Sequence, residues 1–454
     1  MGQNDRWGRM TATRTYSYRN IWRVAYPILI SLVMEQMIGL TDTAFLGRVG
    51  EVELGASAIA IVYYMVLFMI GFGFSLGAQI IIGRRNGEGN FRDTGKIFWN
   101  GLYFLLGLSA IIIILSEIFS PWLMGMMVSS KAIFGAALSY VRWRLPGMVF
   151  AFVTTIFRAF YVGTTQTKTL TLNSIVMVLS NVVFNYILIF GKCGLPALGI
   201  TGAAIGSSLA ELVSLLFFIV YTRGWCDLKK YGLDKPSRPD TGAIRSMMPV
   251  CSWTMIQHTI SISTWFIFFL YIEHLGERAL AISNITRSIS GLMWVVLSAF
   301  AATCSTLVSN MIGEGHTEKV MSLVKRILKL SYGILCIMIT LVCIFPEVIA
   351  RIYTDIPDLI QASAPAIIVM TSSYLLNVGG QVFFQAVSGT GSTKTAFKLE
   401  MVALVVYMIY CTVIIGILKL DVAICWTAEH VYAVVLLLCS WIYMRSGRWK
   451  NRKI

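Results

Sequence analysis

Residues 163–169 read GTTQTKT and residues 389–395 read GTGSTKT, so one short stretch occurs twice at an offset of 226 residues. The same offset joins Asn86-Gly-Glu-Gly89 to Ile312-Gly-Glu-Gly315. One fixed offset that holds over more than a hundred residues is typical of an internal duplication. We interpret the two stretches themselves as turns, in which Gly permits the turn and Thr caps the following helix.

The chain around these repeats is too apolar for a soluble domain. Of its 454 residues, 57% are hydrophobic and 13% are charged, whereas soluble domains have about 25% charged residues. Apolar runs that are long enough to cross about 30 Å of hydrocarbon occur near residues 22–47, 56–83, 97–119, 133–161, 170–191, 200–222, 245–272, 280–311, 323–349, 360–387, 397–419 and 421–445. We therefore predict an all-α polytopic membrane protein with twelve transmembrane helices.

The repeat offset spans six of these runs, which is an even number, so both halves enter the membrane in the same direction. This predicts two parallel six-helix repeats that form two lobes around a central cleft, an arrangement associated with alternating-access transporters. The predicted organisation is a cytoplasmic tail at 1–20, an amino-terminal lobe at 21–223, a cytoplasmic linker at 224–244, a carboxyl-terminal lobe at 245–445 and a cytoplasmic tail at 446–454.

The basic residues are distributed unevenly between the two sides of the membrane. If the amino terminus is cytoplasmic, the cytoplasmic loops and tails hold 26 Lys and Arg residues and the opposite loops hold six. This positive-inside asymmetry predicts a bacterial inner (cytoplasmic) membrane protein with both termini in the cytoplasm. It also explains the net charge of +15 without a nucleic-acid partner.

Motifs that would support catalysis or a cofactor are missing from the sequence. Glu273-His274 and Glu429-His430 do not complete HExxH, and the repeated stretch does not have the spacing of a phosphate-binding loop. The nine cysteines are scattered and form no CxxC pair. We expect no enzyme activity, no cofactor and no resident metal. An intramembrane enzyme remains the alternative from another class, and it would need a nucleophile and base or a metal cluster.

Three stretches together resemble the multidrug and toxic compound extrusion (MATE) family. They are Pro27…Asp42-Thr-Ala-Phe-Leu-Gly-Arg-Val-Gly50, Gly77-Ala-Gln79…Gly87-Glu-Gly89 and Asn181-Val-Val-Phe-Asn185-Tyr-Ile-Leu-Ile-Phe-Gly191. The resemblance covers about residues 20–445. It implies a secondary antiporter that exports small organic compounds, often cationic amphiphiles, in exchange for protons or sodium ions, with membrane lipids around it. We expect a monomer, because the duplication already supplies both halves of a cleft.

The resemblance also implies a cation-coupling site in the amino-terminal lobe, made by Asp42, Asn181, Asn185 and Ser207. Many relatives have Asp at the position of Asn185, so this chain has one carboxylate fewer there. Asn181 and Asn185 are four residues apart and share a helical face. Asp42 would be the titrating group, because an apolar pocket favours a protonated carboxyl. Na⁺ at the same site remains open.

Five further residues are candidates for the cavity or the substrate site: Glu35, Gln36, Gln257, His258 and Arg287. An acid at the centre of a membrane helix costs about 3 kcal/mol, so Glu35 is expected to have a role or a partner. Gln257 stands where some relatives have Glu, and Glu35 stands at the corresponding place of the first span. The resemblance therefore implies that the carboxylates sit in the amino-terminal lobe, which favours the DinF-type, proton-coupled branch. His258 is either a proton relay or cavity ligand, or a histidine satisfied within the core.

The arginines of the spans leave a second transport function open. Arg142, Arg144 and Arg287 either snorkel or pair with acids such as Glu117, or they face the cleft. Cleft-facing arginines would favour anionic substrates and a flippase for lipid-linked precursors, which needs a basic cleft for phosphate.

Overall fold

The computed structural model describes residues 16–128 and 130–450, so most of the tail predicted at 1–20 and the last four residues lie outside it. The helices of this part are α1 (Tyr18–Leu46), α2 (Glu51–Gly87), α3 (Phe91–Met127), α4 (Lys131–Arg144), α5 (Gly147–Gly163), α6 (Lys168–Phe190), α7 (Gly199–Trp225), α8 (Leu228–Tyr231), α9 (Thr241–Glu273), α10 (Glu277–Gly313), α11 (Val320–Ile344), α12 (Pro346–Ala350), α13 (Pro357–Gly389), α14 (Thr393–Cys411), α15 (Val422–Cys425) and α16 (Ala428–Ser446). A 3₁₀ turn at Thr317–Lys319 precedes α11, and a π-helical turn at Thr412–Ile417 follows α14.

The predicted all-α architecture with twelve spans is confirmed. Within the described residues, eleven spans are long and apolar enough to cross a membrane, and α4 with α5 gives a twelfth that is bent by 50°. The bend falls at Leu145-Pro146, between the two helices. Proline cannot donate a backbone hydrogen bond and its ring disfavours the helix before it, so α4 ends there.

The helices form two lobes joined by a short linker. We call α1–α7 the amino lobe and α9–α16 the carboxyl lobe. Helix α8 lies in the linker, and its Tyr231 is buried, with ring centroids 5.6 Å from Phe91 and 5.2 Å from Phe160. These contacts fix the linker against the amino lobe.

The repeated stretches at 163–169 and 389–395 are turns, but not of the predicted kind. The positive φ angles fall at Thr165 (63°) and Gly391 (83°), not at Gly163 or Gly389. The N-cap residues of α6 and α14, Thr167 and Ser392, make no side-chain hydrogen bond to their helices. The predicted threonine cap is therefore wrong in both stretches, and the predicted glycine turn is wrong at 163–169 but holds at Gly391.

Gly163 and Gly389 are required instead by the close approach of two helices. A Cβ at Gly163 would lie 3.0 Å from the Gln79 carbonyl oxygen of α2, and one at Gly389 would lie 2.5 Å from the Ser305 carbonyl oxygen of α10. Gln79 and Ser305 are separated by the same offset as the two glycines. The duplication thus preserves one helix-to-helix contact, α5 on α2 and α13 on α10.

The two lobes meet where α2 and α10 end. A Cβ at Gly313 would lie 3.0 Å from Gly87 Cα, so two residues related by the repeat touch each other. Asn86 Nδ2 donates to Asn310 Oδ1 at 2.6 Å, and Arg84 Nη2 donates to the Thr390 carbonyl at 3.0 Å. We call this set of residues the interlobe contact.

The interlobe contact lies on the side of the bundle where α1 begins and α16 ends. Helix α1 starts at Tyr18 on this side, α16 ends here at Ser446, and α2 and α10 both run toward it. The lobes also touch through Trp22 and Phe300, whose ring centroids are 6.2 Å apart. We call this the terminal side and the opposite one the far side.

Candidate cation site

Asp42 is the centre of a buried polar cluster in the amino lobe. It is 7% exposed and lies about 36 Å along α1 at 1.5 Å per residue, near the far side. Asn185 Nδ2 donates to Asp42 Oδ1 at 2.5 Å, and Ser207 Oγ donates to Asp42 Oδ2 at 3.3 Å. Asn181 links the two donors, because its Oδ1 accepts from Asn185 at 3.2 Å and its Nδ2 donates to Ser207 at 3.2 Å.

Helices α6 and α7 hold these donors in place. The spacing of four residues puts Asn181 and Asn185 on one face of α6, toward α1 and α7. Gly206 lets α7 approach that face, since a Cβ there would overlap Asn185 Oδ1. The structure therefore brings Asp42, Asn181, Asn185 and Ser207 together, as the sequence predicted for this site.

A buried ion pair lies close to this cluster. Arg144 of α4 forms two hydrogen bonds with Glu211 of α7, at 2.8 Å and 2.5 Å, and both side chains are about nine-tenths buried. The guanidinium carbon of Arg144 lies 4.1 Å from the centroid of the Tyr64 ring. The carboxylate of Glu211 thus balances the charge of Arg144 inside the amino lobe.

Glu35 has a partner that the sequence did not predict. Its Oε1 lies 2.5 Å from Arg158 Nη1 of α5, and Ser31 Oγ donates to the same oxygen at 3.3 Å. The Glu35 carboxylate is 40% exposed, so this pair is much less buried than the Asp42 cluster. Gln36, the neighbouring candidate, is exposed.

The candidates Gln257, His258 and Arg287 lie in the carboxyl lobe, whereas Arg142 lies on α4 of the amino lobe. Gln257 is buried on α9, and the ring of His258 meets the Phe72 ring of α2 edge-on at 6.1 Å. Arg287 is exposed on α10, with its guanidinium carbon 5.4 Å from the Phe269 ring centroid. Arg142 pairs with Glu117 at 3.5 Å on an exposed surface.

Sequence reasoning missed one buried acid, Glu400 of α14. It is 4% exposed and lies beside Gln257 and Ser261 of α9. The signal that marked Asp42, a carboxylate inside an apolar run, was present here too, because Glu400 falls in the run at 397–419. The prediction that the carboxylates sit in the amino lobe is therefore incomplete.

Comparison with known proteins places this architecture in a family. The MatE family model matches residues 27–187 and 254–413, which is well over half of the chain and covers each lobe once. The chain is 22% identical over 443 residues to the probable multidrug resistance protein NorM of Thermotoga maritima, covering 96% of this chain and 94% of that protein. It is also 22% identical to the multidrug resistance protein MdtK of Pectobacterium atrosepticum, covering 85% of this chain and 84% of that one.

Solved structures show the same fold. A multidrug resistance MATE family transporter solved in an outward-facing conformation matches with a TM-score of 0.87 at 17% identity, covering 94% of this chain and 95% of that one. A MOP superfamily transporter from Pyrococcus furiosus matches with a TM-score of 0.84 at 17% identity, covering 96% and 97%. Because the family model matches both lobes, this chain belongs to the MatE family, whose members are transporters and not enzymes.

Proposed function

We propose that this protein is an efflux transporter that exchanges small organic compounds, chiefly cationic amphiphiles, for protons by alternating access. It works as a monomer in the bacterial inner membrane, with both termini in the cytoplasm. Asp42 is the coupling residue. The multidrug resistance names of the relatives support export of organic compounds, and the Asp42 cluster supports the coupling.

The observation that carries the proposal is the set of groups that face Asp42. Its nearest neighbours are N–H and O–H donors from Asn185 and Ser207. A sodium ion prefers several oxygen ligands, as other hard cations do, whereas a proton needs only a lone pair of the carboxylate. Asp42 is also the one carboxyl of this cluster, so a single proton removes its negative charge.

The interlobe contact supports an outward-open state. Under the positive-inside orientation the terminal side is cytoplasmic, so the lobes are closed toward the cytoplasm in this conformation. Asp42 lies near the far side, where an external proton would reach it. Protonation of Asp42 would weaken its hydrogen bonds with Asn185 of α6 and Ser207 of α7. These two helices would then repack and release the substrate to the outside.

The arginines do not favour the flippase alternative. Arg142 pairs with Glu117, and Arg144 pairs with Glu211, so their charges are balanced by carboxylates of the amino lobe. A flippase for a lipid phosphate would need such cations unpaired in the cleft. Of these three arginines, only Arg287 has no carboxylate partner among the described residues, and its guanidinium carbon lies 5.4 Å from the Phe269 ring centroid.

Transport in proteoliposomes tests the coupling ion. Purified protein is reconstituted, and efflux of fluorescent organic cations and anions is followed under a pH gradient alone and under a sodium gradient alone. We expect the pH gradient to drive efflux of the cations and the sodium gradient to have no effect. Efflux driven by sodium at equal pH would overturn proton coupling, and efflux of anions alone would overturn the substrate class.

A further inference from the structure

The carboxyl lobe contains a buried acid that the proposed coupling through Asp42 does not use. Glu400 of α14 is 4% exposed and Gln257 of α9 is 3% exposed. Ser261 and Tyr432 lie within hydrogen-bonding distance of Glu400 Oε1, at 2.6 Å and 3.4 Å, and Gln257 interacts with the same carboxyl. These partners are neutral, and none of the described Lys or Arg side chains lies within ion-pair distance of Glu400.

A count of hydrogens at Ser261 indicates which form of Glu400 fits this pocket. Ser261 Oγ lies 2.8 Å from the Gln257 carbonyl oxygen and 2.6 Å from Glu400 Oε1. A hydroxyl has one hydrogen, so Ser261 can donate to only one of these acceptors. If Glu400 carries a proton, its carboxyl O–H donates to Ser261 Oγ, and the Ser261 hydroxyl donates to the Gln257 carbonyl oxygen. Both short contacts are then hydrogen bonds.

Two orphaned oxygens point to the same form. Glu400 Oε2 and Gln257 Oε1 are buried and have no hydrogen-bond partner. A bare carboxylate oxygen without a donor or counter-ion is far more costly to bury than the carbonyl oxygen of a neutral carboxylic acid. Protonation of Glu400 thus relieves the largest cost in the pocket.

We propose that Glu400, held by Ser261, Gln257 and Tyr432, is a second, reversible proton-binding site, located in the carboxyl lobe and separate from the Asp42 cluster.

The titratable groups around this site connect it to other parts of the lobe. On α16 they are Tyr432 and Glu429, and Glu429 accepts a hydrogen bond from Tyr407 of α14 at 3.3 Å. The rings of Tyr407 and Tyr432 are 6.0 Å apart. On α9, His258 faces Phe72 of the amino lobe, and on α13, Tyr374 bonds to Ser290. Of the two carboxyls in this set, Glu400 is the buried one, whereas Glu429 is only partly buried.

Infrared difference spectroscopy of the full chain in lipid nanodiscs tests the proposal. The spectrum of Glu400→Gln is subtracted from that of the wild type at acid and at alkaline pH, so that Glu429 and Asp42 cancel. We expect a protonated carboxyl C=O band at about pH 6, where ordinary exposed carboxyls are ionised, and its disappearance at alkaline pH. The matched control is Glu273→Gln, which removes an exposed glutamate of α9 and is expected to give no such band.

Three outcomes would overturn the proposal. The first is that the band is absent at every pH. The second is that the band persists at alkaline pH. The third is that the band is lost when sodium chloride replaces choline chloride at constant pH. The third would make the pocket a sodium site. If Glu400→Gln does not fold, Ser261→Ala keeps the carboxyl, and the proposal then requires a shift of the same band.

This test is independent of the Asp42 assignment. We expect Asp42→Asn to retain the Glu400 band in full. If the band is lost in Asp42→Asn, it arises from the amino lobe, and Glu400 is not a separate proton-binding site. If the efflux assay shows that Asp42 is not the coupling residue, the infrared result for Glu400 is unaffected.

Discussion

At the scale of single residues, Asp42 and Glu211 are buried carboxylates that receive different partners. Asp42 is held by neutral amide and hydroxyl donors, whereas Glu211 is held by the Arg144 guanidinium in a bidentate pair. A carboxylate with a fixed counter-ion stays ionised, and one with neutral donors can exchange a proton at lower cost. This difference in partners is consistent with the proposed titrating role of Asp42.

The Arg144–Glu211 pair gives a stability prediction. We expect Arg144→Met to lower the free energy of unfolding by about 3–5 kcal/mol, because it leaves the Glu211 charge buried and unpaired. The double variant Arg144→Met, Glu211→Leu should recover most of that loss, since neither charge remains. Thermal unfolding of detergent-solubilised single and double variants measures both values. A double variant that is as unstable as the single one would contradict a charge-based cause.

The residues of the Asp42 cluster were assigned through the resemblance to the MATE family, and two local signals in the sequence agree with that assignment. Asn181 and Asn185 lie one helical turn apart, and Asp42 interrupts an apolar run. The partners of Arg144 and Glu400 could not be predicted in the same way. Glu211 is 67 residues from Arg144 and Ser261 is 139 residues from Glu400, so only the folded helix arrangement brings them together.

At the scale of helices, glycines set the distance between neighbouring elements. Gly163 lies against α2 and Gly389 lies against α10 at equivalent positions of the two lobes. The sequence indicated that these residues matter, because the stretch is repeated. It did not indicate why, since a glycine in a turn and a glycine at a close helix contact look the same without the partner helix.

This contact predicts a matched effect in both lobes. We expect Gly163→Ala and Gly389→Ala each to lower the free energy of unfolding by about 1–3 kcal/mol, because the new methyl group overlaps neighbouring backbone or side-chain atoms. Gly107→Ala on α3 is the control, since no atom lies within 4 Å of a Cβ there. Thermal unfolding measures all three. If the three variants are equally stable, the close helix contacts at Gly163 and Gly389 do not explain why these residues are glycines.

The bent span of α4 and α5 shows a second limit of sequence reasoning at this scale. One apolar run at 133–161 predicted one helix, and the structure has two that are bent by 50°. Pro146 was visible in the sequence, but a proline can bend a span or break it, depending on its neighbours. The break lets Arg144 end α4 beside α7, where it meets Glu211.

At the scale of the whole molecule, the repeat places the lobe contact on an axis of approximate symmetry. Gly87 and Gly313 are related by the repeat offset and touch each other. Parallel repeats that meet around such an axis can rock about the contact, which is the motion that alternating access requires. Opening the terminal side requires the interlobe contact to separate.

A large side chain at this contact should therefore shift the conformational equilibrium. We expect Gly87→Leu to force the lobes apart on the terminal side, because the side chain would overlap the Asn310 backbone. Spin labels at Glu51 and Glu277, exposed positions at the far-side ends of α2 and α10, should then move closer together. Pulsed electron paramagnetic resonance measures the distance between the two spin labels. Gly291→Leu, in open space on α10, is the control, and an unchanged distance in Gly87→Leu would contradict a rocking motion.

The most direct test of Asp42 as the coupling residue is export by Asp42→Asn in proteoliposomes under a pH gradient. The variant keeps the side-chain size but removes the titrating group, and Asp355→Asn, at an exposed loop position, controls for the loss of one acid. We predict that Asp355→Asn exports a fluorescent organic cation at the wild-type rate and that Asp42→Asn falls to the rate of protein-free vesicles. Full export driven by the pH gradient in Asp42→Asn would contradict the account.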